Sequence, residues 1–439
     1  MSMAAFTYPE QLLLHPISGP VNASVSLPGS KSITNRALLL AALAESESLL
    51  IAPLHSDDTL YMTSALKELG VSIEETDEGD FLVRGTGGKF EAPNKTLFIG
   101  NSGTTVRFLT AASCFVPGRT NVVLDGVARM RERPIRDLLG ALLTLGVLAE
   151  SVNGHGCPPV RVHGGGLPGG SCRLRGDVSS QFLTALLQVA PYADRNVSID
   201  IIGELISKPY IDITQAVMHS FGVEMHNDDY RRLTVESGQR YDGREYTIEA
   251  DASNASYFLA AAAVTGGTVT LTNLGSQSIQ GDIRFIDVLE RMGCIVTRGK
   301  MISVTGPARL GGIEADMTAI PDTAQTLAVV AAFADGPSHL TGLASLRVKE
   351  TDRLKAITTE LSKLGVGVDE GRDNWTISPP LNGIYTGAVI DTYDDHRMAM
   401  SFAVAGLRVP DITINDPGCV AKTFPDFWER WERAFGHGE

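Results

Sequence analysis

Cysteine is scarce in this sequence, and the few cysteines present do not form a recognisable pairing. There are five, an odd number with no CxxC pair among them: Cys114, Cys157, Cys172, Cys294 and Cys419. Scattered cysteines of this kind are typical of a protein whose thiols stay reduced. We therefore expect no disulfide framework and a cytoplasmic location.

Positive net charge and long apolar runs are missing as well. The 37 lysines and arginines are outnumbered by 51 aspartates and glutamates, and the net charge of −14 argues against nucleic acid or an anionic membrane as a partner. No run resembles a membrane span, and "MSMAAFTYPEQ" lacks the pattern of a signal peptide. A composition of 43% hydrophobic and 20% charged residues over 439 positions predicts a soluble globular protein of two domains. An anionic ligand would need a local cluster of cations.

Three motifs that would indicate other chemistry are incomplete. "PGSKS" lacks the adjacent Gly-Lys and the earlier glycine of a P-loop, which disfavours an ATPase. "HGGGLPGG" is similar to an esterase oxyanion loop, but no GxSxG occurs, so we interpret it as a connection between strands. The residues of a zinc site occur without its spacing, and we expect no metal; they are His155, Cys157, His163 and Cys172.

Two interleaved series repeat about every 70 residues along the chain. The first consists of amphipathic helices that end in glycine, at Gly70, Gly146, Gly222, Gly293, Gly365 and Gly436. The second consists of apolar blocks with a polar start, beginning at Ser32, Ser102, Ser179, Ser253, Asp322 and Asp395. The amphipathic segments predict surface helices with a C′ glycine, and the blocks without a polar face predict buried helices.

Six such units, each with several short strands, predict an α/β (α+β) chain of two similar domains with three units each. The sixth unit stops after its surface helix, and the N-terminal run "LLLHPISGPVNASVSLPG" would supply its missing strand. We therefore predict a discontinuous domain of residues 1–30 plus 249–439 and a second domain of residues 31–248, with crossovers near 28–31 and 245–249. The alternative is a serial pair of domains split once near residue 245.

Polar residues stand at the start of every predicted buried helix. Helix N-termini present unpaired N–H groups and a positive dipole, so they attract anions. Repetition would point three such ends the same way in each domain, and two facing domains would bring six to one cleft, where we predict the active site. The residues concerned are Lys31, Ser32, Arg36, Asn101, Ser102, Gly103, Thr104, Ser179, Ser180, Gln181, Asp251, Ser253, Asp322, Asp395, His396 and Arg397.

Helix capping is the alternative interpretation of these residues. For Ser102, Ser253 and Asp251 it is at least as good an explanation as ligand binding. It fails for Lys31 and Arg36, as it does for Arg397, because none of these side chains can accept from a backbone N–H. Loops such as "DGVARMRERPIRDLL" and "RVKETDRLKAI" add guanidinium groups, which suit phosphate and carboxylate.

Taken in order, these segments resemble the EPSP synthase family, the 3-phosphoshikimate 1-carboxyvinyltransferases of the shikimate pathway. The resemblance runs from "LPGSKSITNRALLLAALA" through "GNSGTTVRFL" and "DVSSQFLTALL" to "RVKETDRL" and "YDDHRMAMSFAVAG". It implies an enolpyruvyl transferase-like fold of two domains, each with three βαβαββ units and buried parallel helices. It also implies transfer of the enolpyruvyl group of phosphoenolpyruvate to the 5-hydroxyl of shikimate 3-phosphate, without metal or organic cofactor.

The same resemblance implies roles for individual residues. The catalytic residues would be Lys31, Asp322 and Glu350. Shikimate 3-phosphate would be bound by Lys31, Ser32, Arg36, Ser179, Ser180, Gln181, Ser207, Tyr210, Asp322 and Lys349. Phosphoenolpyruvate would be bound by Lys31, Asn101, Gly103, Arg129, Gln181, Arg353, Arg397 and Lys422. In this family the glycine at 103 leaves space for the inhibitor glyphosate, whereas Ser345 departs from members that have asparagine there.

Two other functions are alternatives to this one. UDP-N-acetylglucosamine enolpyruvyl transferases share the fold and the donor, but their catalytic loop has a cysteine before an Arg-Pro pair, and "DGVARMRERPI" has none. A non-catalytic anion-binding protein would lose its acid–base residues, yet Lys31, Asp322 and Glu350 are all present. We expect an enzyme that acts as a monomer on small anionic substrates.

Overall fold

The computed structural model describes residues 6–118 and 120–436. The chain forms two compact units. Unit 1 is Gly29–Ile248, and unit 2 combines the segment that ends at Pro28 with the residues from Glu249 onward. From residue 6 onward, the chain thus starts in unit 2, passes once through unit 1 and then completes unit 2.

Twelve α-helices occur within the described ranges. They are α1 (Lys31–Leu43), α2 (Asp57–Glu68), α3 (Gly103–Ala112), α4 (Arg136–Thr144), α5 (Ser180–Val189), α6 (Lys208–Ser220), α7 (Ala252–Thr265), α8 (Phe285–Arg291), α9 (Ala324–Ala331), α10 (Arg353–Lys363), α11 (His396–Gly406) and α12 (Phe427–Phe435).

The strands of the same ranges are short. They are β1 (Gln11–Leu14), β2 (Asn22–Val25), β3 (Glu47–Ile51), β4 (Ser72–Glu75), β5 (Phe81–Arg84), β6 (Leu97–Phe98), β7 (Asn121–Asp125), β8 (Ala149–Ser151), β9 (Val160–His163), β10 (Gly170–Arg175), β11 (Val197–Ile202), β12 (Met225–Asp228), β13 (Arg232–Val235), β14 (Glu245–Thr247), β15 (Thr268–Leu271), β16 (Ile295–Thr297), β17 (Ile302–Thr305), β18 (Leu310–Gly311), β19 (Glu314–Asp316), β20 (Ala334–Asp335), β21 (Ser338–Thr341), β22 (Gly367–Glu370), β23 (Trp375–Ser378), β24 (Val389–Ile390) and β25 (Ile412–Asn415).

Odd-numbered helices form the core of each unit, as the apolar blocks predicted. Every residue of α3, α9 and α11 is buried. Even-numbered helices bury one face only; in α10, for example, Leu354, Ile357 and Leu361 are buried at the spacing of a helix face. In unit 1, α3 packs against α1 and α5, and in unit 2 the helices α7, α9 and α11 pack against one another.

Five four-stranded sheets share one topology, in which two parallel strands are followed by two antiparallel ones. In unit 1 their orders are β14-β3-β5-β4, β6-β7-β9-β8 and β10-β11-β13-β12. In unit 2 the orders are β2-β15-β17-β16 and β19-β21-β23-β22. A minor parallel pair, β18 and β20, accompanies them. The repeat read from the sequence is therefore a repeat of one sheet-and-helix motif.

The sixth sheet depends on the N-terminal segment. In it β24 runs parallel to β25, and β1 pairs antiparallel to β25 with Leu12 opposite Ile414. The second N-terminal strand, β2, runs parallel to β15. The end of unit 1 is tied to its beginning in the same way, since β14 runs parallel to β3.

Glycine ends the surface helices for a conformational reason. The five glycines at 70, 146, 222, 293 and 365 have φ between 83° and 103°, the left-handed conformation in which a side chain is strained. Gly436 differs, since it follows α12 with φ −62°. Within the described residues, no helix combines the length and apolar character needed to cross a membrane.

Substitution of two helix glycines by alanine should shift stability in opposite directions. Gly365 has φ 83°, so Gly365→Ala should lower the free energy of unfolding by about 1–2 kcal/mol. Gly140 lies inside α4 with nothing within 4 Å of an added Cβ, so Gly140→Ala should raise it by about 0.5–1 kcal/mol. Thermal unfolding gives the melting temperature of each variant. Changes in melting temperature of the same sign in both variants would contradict the explanation.

Candidate active site

The N-terminal turns of the three inner helices of unit 1 lie together. Asn35 in α1 donates from Nδ2 to Thr104 Oγ1 at the start of α3, at 2.7 Å. Arg36, the next residue, donates from Nη2 to Thr184 Oγ1 in the second turn of α5, at 3.3 Å. These contacts join the same end of all three helices, so their exposed N–H groups face one region of the unit.

These three helices begin without a carboxylate. Their N-cap residues are Ser30, Ser102 and Ser179, and none of the three has an acidic residue in its first turn. Ser179 caps α5 by accepting from the Gln181 N–H, whereas the Ser102 hydroxyl bonds to Thr105 Oγ1 instead of a backbone N–H. The positive end of each helix dipole is therefore left for another anion.

Arg36 places a cation beneath this region. The residue is 2% exposed, and its guanidinium donates to four neutral oxygens, those of Thr184, Thr214, Ser32 and Tyr210. Burial lowers the pKa of Arg36 to about 10, so it is still charged at neutral pH. Its bonds hold Ser32 and Tyr210, two other predicted site residues, close to the start of α5.

Lys31 is the first residue of α1, and a buried aspartate lies beside it. Its Nζ is 3.5 Å from Asp58 Oδ2 in the first turn of α2. The backbone oxygen of Asp58 also accepts from Thr105 Oγ1. Asp58 thus places the ammonium group of Lys31 near the start of α3.

The start of α3 is held by two buried arginines. Arg133 donates from Nη1 to the backbone oxygen of Asn101 at 2.9 Å and to its Oδ1 at 3.2 Å. Arg107 donates from Nη1 to the backbone oxygen of Gly103 at 3.1 Å. Asn101 and Gly103 are consequently fixed one residue on either side of the N-cap.

The remaining predicted residues of unit 1 lie at helix starts or in one turn. Ser180 and Gln181 are the first two residues of α5. Ser207 is the N-cap of α6 and has φ 56°, an uncommon conformation for a residue with a side chain. Arg129 lies in the short 3₁₀ helix Ala128–Glu132, partly exposed and ion-paired with Glu132.

The inner helices of unit 2 gather in the same manner but carry carboxylates. Ser256 in α7 bonds to Thr326 Oγ1 at the start of α9, and Arg397 at the start of α11 donates to the Tyr257 hydroxyl in α7. The N-cap residues Asp251 and Asp395 accept from backbone N–H groups of their own helices. The structure supports capping for Asp251. It does not do so for Ser253, whose hydroxyl donates to the Asp282 carboxylate.

Five predicted site residues of unit 2 form one network of ion pairs. Asp322 accepts from Arg397 Nη2 at 3.0 Å and lies 3.6 Å from Lys349 Nζ and 3.5 Å from Arg353 Nη1. Arg353 also donates to Glu350 Oε2 at 2.8 Å. Two potential acid–base groups, Asp322 and Glu350, are therefore joined through one guanidinium.

Arg353 is the centre of this network. It is 1% exposed and donates to both oxygens of Asp395, at 2.7 and 3.1 Å. Burial by itself would lower the pKa of Arg353, but Asp395, Glu350 and Asp322 outweigh it and raise the pKa above its ordinary value. A permanent positive charge thus lies between the two carboxylates.

Lys422, the sixth predicted residue of unit 2, lies at the end of the 3₁₀ helix Pro417–Lys422, which packs against α11. It is buried, and its charge acts on Asp394 just before α11. Burial raises the pKa of Asp394, and Lys422 partly offsets that rise. Lys422 therefore adds a cation close to the start of α11.

Comparison with known proteins identifies the family. A family model described as EPSP synthase (3-phosphoshikimate 1-carboxyvinyltransferase) matches residues 16–431. The chain belongs to the EPSP synthase family.

Relatives cover nearly the whole chain. The chloroplastic 3-phosphoshikimate 1-carboxyvinyltransferase of Arabidopsis thaliana is 49% identical over 445 residues, which cover 97% of this chain and 85% of the relative. The enzyme of that name from Shewanella denitrificans is 47% identical, with 97% and 99% covered. A solved structure of EPSP synthase from Acinetobacter baumannii superposes with a TM-score of 0.81 at 28% identity, covering 97% and 98%.

These similarities confirm the predicted enolpyruvyl transferase-like fold, the family and the enzyme class. The chain is a transferase of the shikimate pathway that acts on small anionic substrates. Similarity to the EPSP synthase family supports shikimate 3-phosphate as the acceptor and does not support UDP-N-acetylglucosamine.

Sequence reasoning gave no individual role to several residues of this candidate site. Asp395 was predicted only as a residue at a helix start, and Arg133 only as part of the arginine-rich "RMRERP" stretch. Nothing in the sequence distinguishes Asp58 or Asp282 from other acidic residues. Only the structure shows that Asp58 lies beside Lys31 and that Asp282 lies near Asp322.

Asp282 should make the stability of unit 2 depend on pH. Burial and the nearby Asp322 raise its pKa from 3.8 to about 6, against the opposing effects of Ser253 and Arg397. Its contribution to stability is thus fully present below pH 3.8 and is lost as the pH rises through 6. Asparagine does not titrate. The free energy of unfolding of Asp282→Asn, relative to that of the wild type, should therefore be higher at pH 8 than at pH 4.5 by on the order of 1–3 kcal/mol.

Thermal unfolding of the wild type and the variant across this pH range tests the expectation. Asp287→Asn removes an exposed carboxylate of the same unit and is the matched control. A variant whose change in melting temperature is the same at both pH values would show that Asp282 is ionised throughout.

Proposed function

We propose that Lys31, Asp322 and Glu350 carry out the addition and elimination steps of enolpyruvyl transfer from phosphoenolpyruvate to the 5-hydroxyl of shikimate 3-phosphate. The observation that supports this assignment most directly is the ion-pair network of Asp322, Lys349, Glu350, Arg353 and Arg397. The two carboxyl groups of this network can act as acid and base, and its cations attract an anionic substrate.

Unit 1 contains the groups needed to bind a phosphate monoester. The neutral caps and the first-turn N–H groups of α5 suit the 3-phosphate of the acceptor, and Ser179, Ser180 and Gln181 lie there. Arg36 adds a buried charge linked to Ser32 and Tyr210. We assign shikimate 3-phosphate to these residues with Ser207 and Lys31, and in unit 2 to Asp322 and Lys349.

Phosphoenolpyruvate carries a phosphate and a carboxylate, so it needs several cations. Arg353, Arg397 and Lys422 are buried cations of unit 2. Unit 1 contributes Lys31, Arg129 and Gln181, together with Asn101 and Gly103 at the start of α3. Because groups from both units are needed, we propose that both units act on the same pair of substrates and together exclude water from them.

The first step forms one C–H bond and one C–O bond. Glu350, in its protonated form, gives a proton to the methylene carbon of phosphoenolpyruvate and becomes a carboxylate paired with Arg353. The adjacent carbon becomes electrophilic. The 5-hydroxyl oxygen attacks that carbon while Asp322 accepts the hydroxyl proton. A tetrahedral intermediate results, still bearing the phosphate.

Elimination reverses the proton transfer at the methyl group. One of its protons returns to the Glu350 carboxylate, the carbon–carbon double bond re-forms, and the bond from carbon to the phosphate oxygen breaks. The departing oxygen gains negative charge, which Lys31 stabilises. Asp58, 3.5 Å from the Lys31 ammonium, keeps that group in place.

Two further proposals concern the protein in the cell. All five cysteines lie within the described residues and are free, which supports a reducing compartment such as the cytoplasm. One chain contains every residue assigned above, which supports a monomer as the active form.

Substitution of the proposed acid tests the mechanism. The wild type should release phosphate with shikimate 3-phosphate as acceptor and not with UDP-N-acetylglucosamine. Glu350→Gln should lower kcat by about 10²–10⁴-fold, since a proton donor is lost, while the affinity for shikimate 3-phosphate stays nearly the same. Coupled assays and calorimetry measure these two quantities, with Glu290→Gln, at an exposed residue of α8, as control. Retained turnover would remove Glu350 from the mechanism.

Glyphosate should compete with phosphoenolpyruvate. Asn101 and Gly103 at the start of α3 are assigned to phosphoenolpyruvate, and glyphosate, also a small dianion, would be attracted to the same helix N-terminus. Increasing glyphosate should therefore raise the apparent KM for phosphoenolpyruvate and leave kcat unchanged. Unchanged activity at millimolar glyphosate would contradict the prediction.

A further inference from the structure

Arg133 lies beside the start of α3, where it contacts Asn101. It is 3% exposed, and its Nη1 donates both to the backbone oxygen and to the side-chain oxygen of Asn101. Both bonds have a charged donor, which makes them stronger than ordinary amide hydrogen bonds. Arg133 therefore holds Asn101 through its backbone and its side chain at once.

The bond to Oδ1 decides which way the Asn101 amide is turned. With Oδ1 at 3.2 Å from the guanidinium, the Nδ2 group lies on the other side of the amide. A flipped amide would place two N–H donors against a cation, so this orientation is strongly preferred. Asn101 therefore offers donors, and no acceptor, on the side away from Arg133, as recognition of an anion requires.

The same guanidinium occupies the space beside Gly103. A Cβ added to Gly103 would lie 2.6 Å from Arg133 Nη2 and 2.9 Å from Arg107 Nη1. Non-bonded carbon and nitrogen atoms essentially never lie so close together. The guanidinium groups are the flexible ends of their side chains, so they would move. A side chain at 103 would thus displace Arg133 and weaken its hold on Asn101.

We propose that Arg133 is a positioning residue for phosphoenolpyruvate binding: it orients the Asn101 amide toward the anion, and residue 103 must be glycine partly because any side chain there displaces Arg133. The inference rests on the proposed assignment of Asn101 to phosphoenolpyruvate. A methyl group at 103 would thus act in two ways. It would take up space directly, and it would also displace Arg133.

Kinetics of Arg133 variants test the positioning role. Arg133→Met should raise the KM for phosphoenolpyruvate by about tenfold or more, and the KM for shikimate 3-phosphate should change less than about twofold. Arg133→Lys, which keeps one charged donor, should restore part of the affinity. Arg131→Met is the matched control, because Arg131 lies two residues away in an exposed ion pair with Asp125. Equal KM values in all four proteins would overturn the proposal, as would equal increases for both substrates.

A double-mutant cycle tests the link to residue 103. If Gly103→Ala acts partly through Arg133, the combination with Arg133→Met should raise the KM for phosphoenolpyruvate by clearly less than the product of the two single fold-changes. Fold-changes that multiply would overturn the link. Should Arg133→Met fail to fold, the cycle is run with Arg133→Lys, and the same two outcomes decide it.

Asn101→Ala separates failure of this inference from failure of the proposed function. An increased KM for phosphoenolpyruvate in Asn101→Ala with an unchanged KM in Arg133→Met would overturn the positioning role alone. An unchanged KM in Asn101→Ala would overturn the assignment of Asn101 itself and the inference with it. Increases in both variants, with no further increase in their combination, would support both.

Discussion

Unpaired N–H groups at the starts of buried helices are the feature on which the rest of the structure depends. A helix that is apolar on all sides must lie inside its unit, and its N-terminal turn then has few partners unless it meets a ligand or a cap. Contacts such as Asn35 to Thr104 and Ser256 to Thr326 show that these turns come together within each unit. A polar, positively polarised region inside the core follows from that arrangement.

The two units use this arrangement with opposite charge. Unit 1 begins its inner helices with serines and leaves the dipoles uncompensated, and Arg36 is solvated there by neutral oxygens. Unit 2 places Asp251 and Asp395 at helix starts and neutralises Arg353 with carboxylates. This division suits an enzyme that must bind phosphates firmly and also move protons, because phosphate binding needs cations and helix N-termini, and proton transfer needs carboxyl groups.

Much of the fold was predictable because its signals are local. The all-apolar blocks predicted α1, α3, α5, α7, α9 and α11, and the glycine ends of the surface helices follow from left-handed φ values at Gly70 and Gly365. The family resemblance predicted most residues of the candidate site. Within that set, the structure places Arg353 in an ion pair with Glu350 and in another with Asp322. Asp58 and Asp282 were beyond prediction, as was the partner of Arg133, since each of these depends on a neighbour distant in sequence.

The sequence by itself determined the sixfold period, the alternation of buried and surface helices and the cations at helix starts, because each of these arises from residues close together in the chain. Only the tertiary structure decided the partners: Thr184 and Thr214 for Arg36, Asp395 for Arg353, and Arg133 for Asn101. The physical reason is that burial removes water, so a buried polar group must take the partner that packing places beside it, and packing is a property of the whole unit.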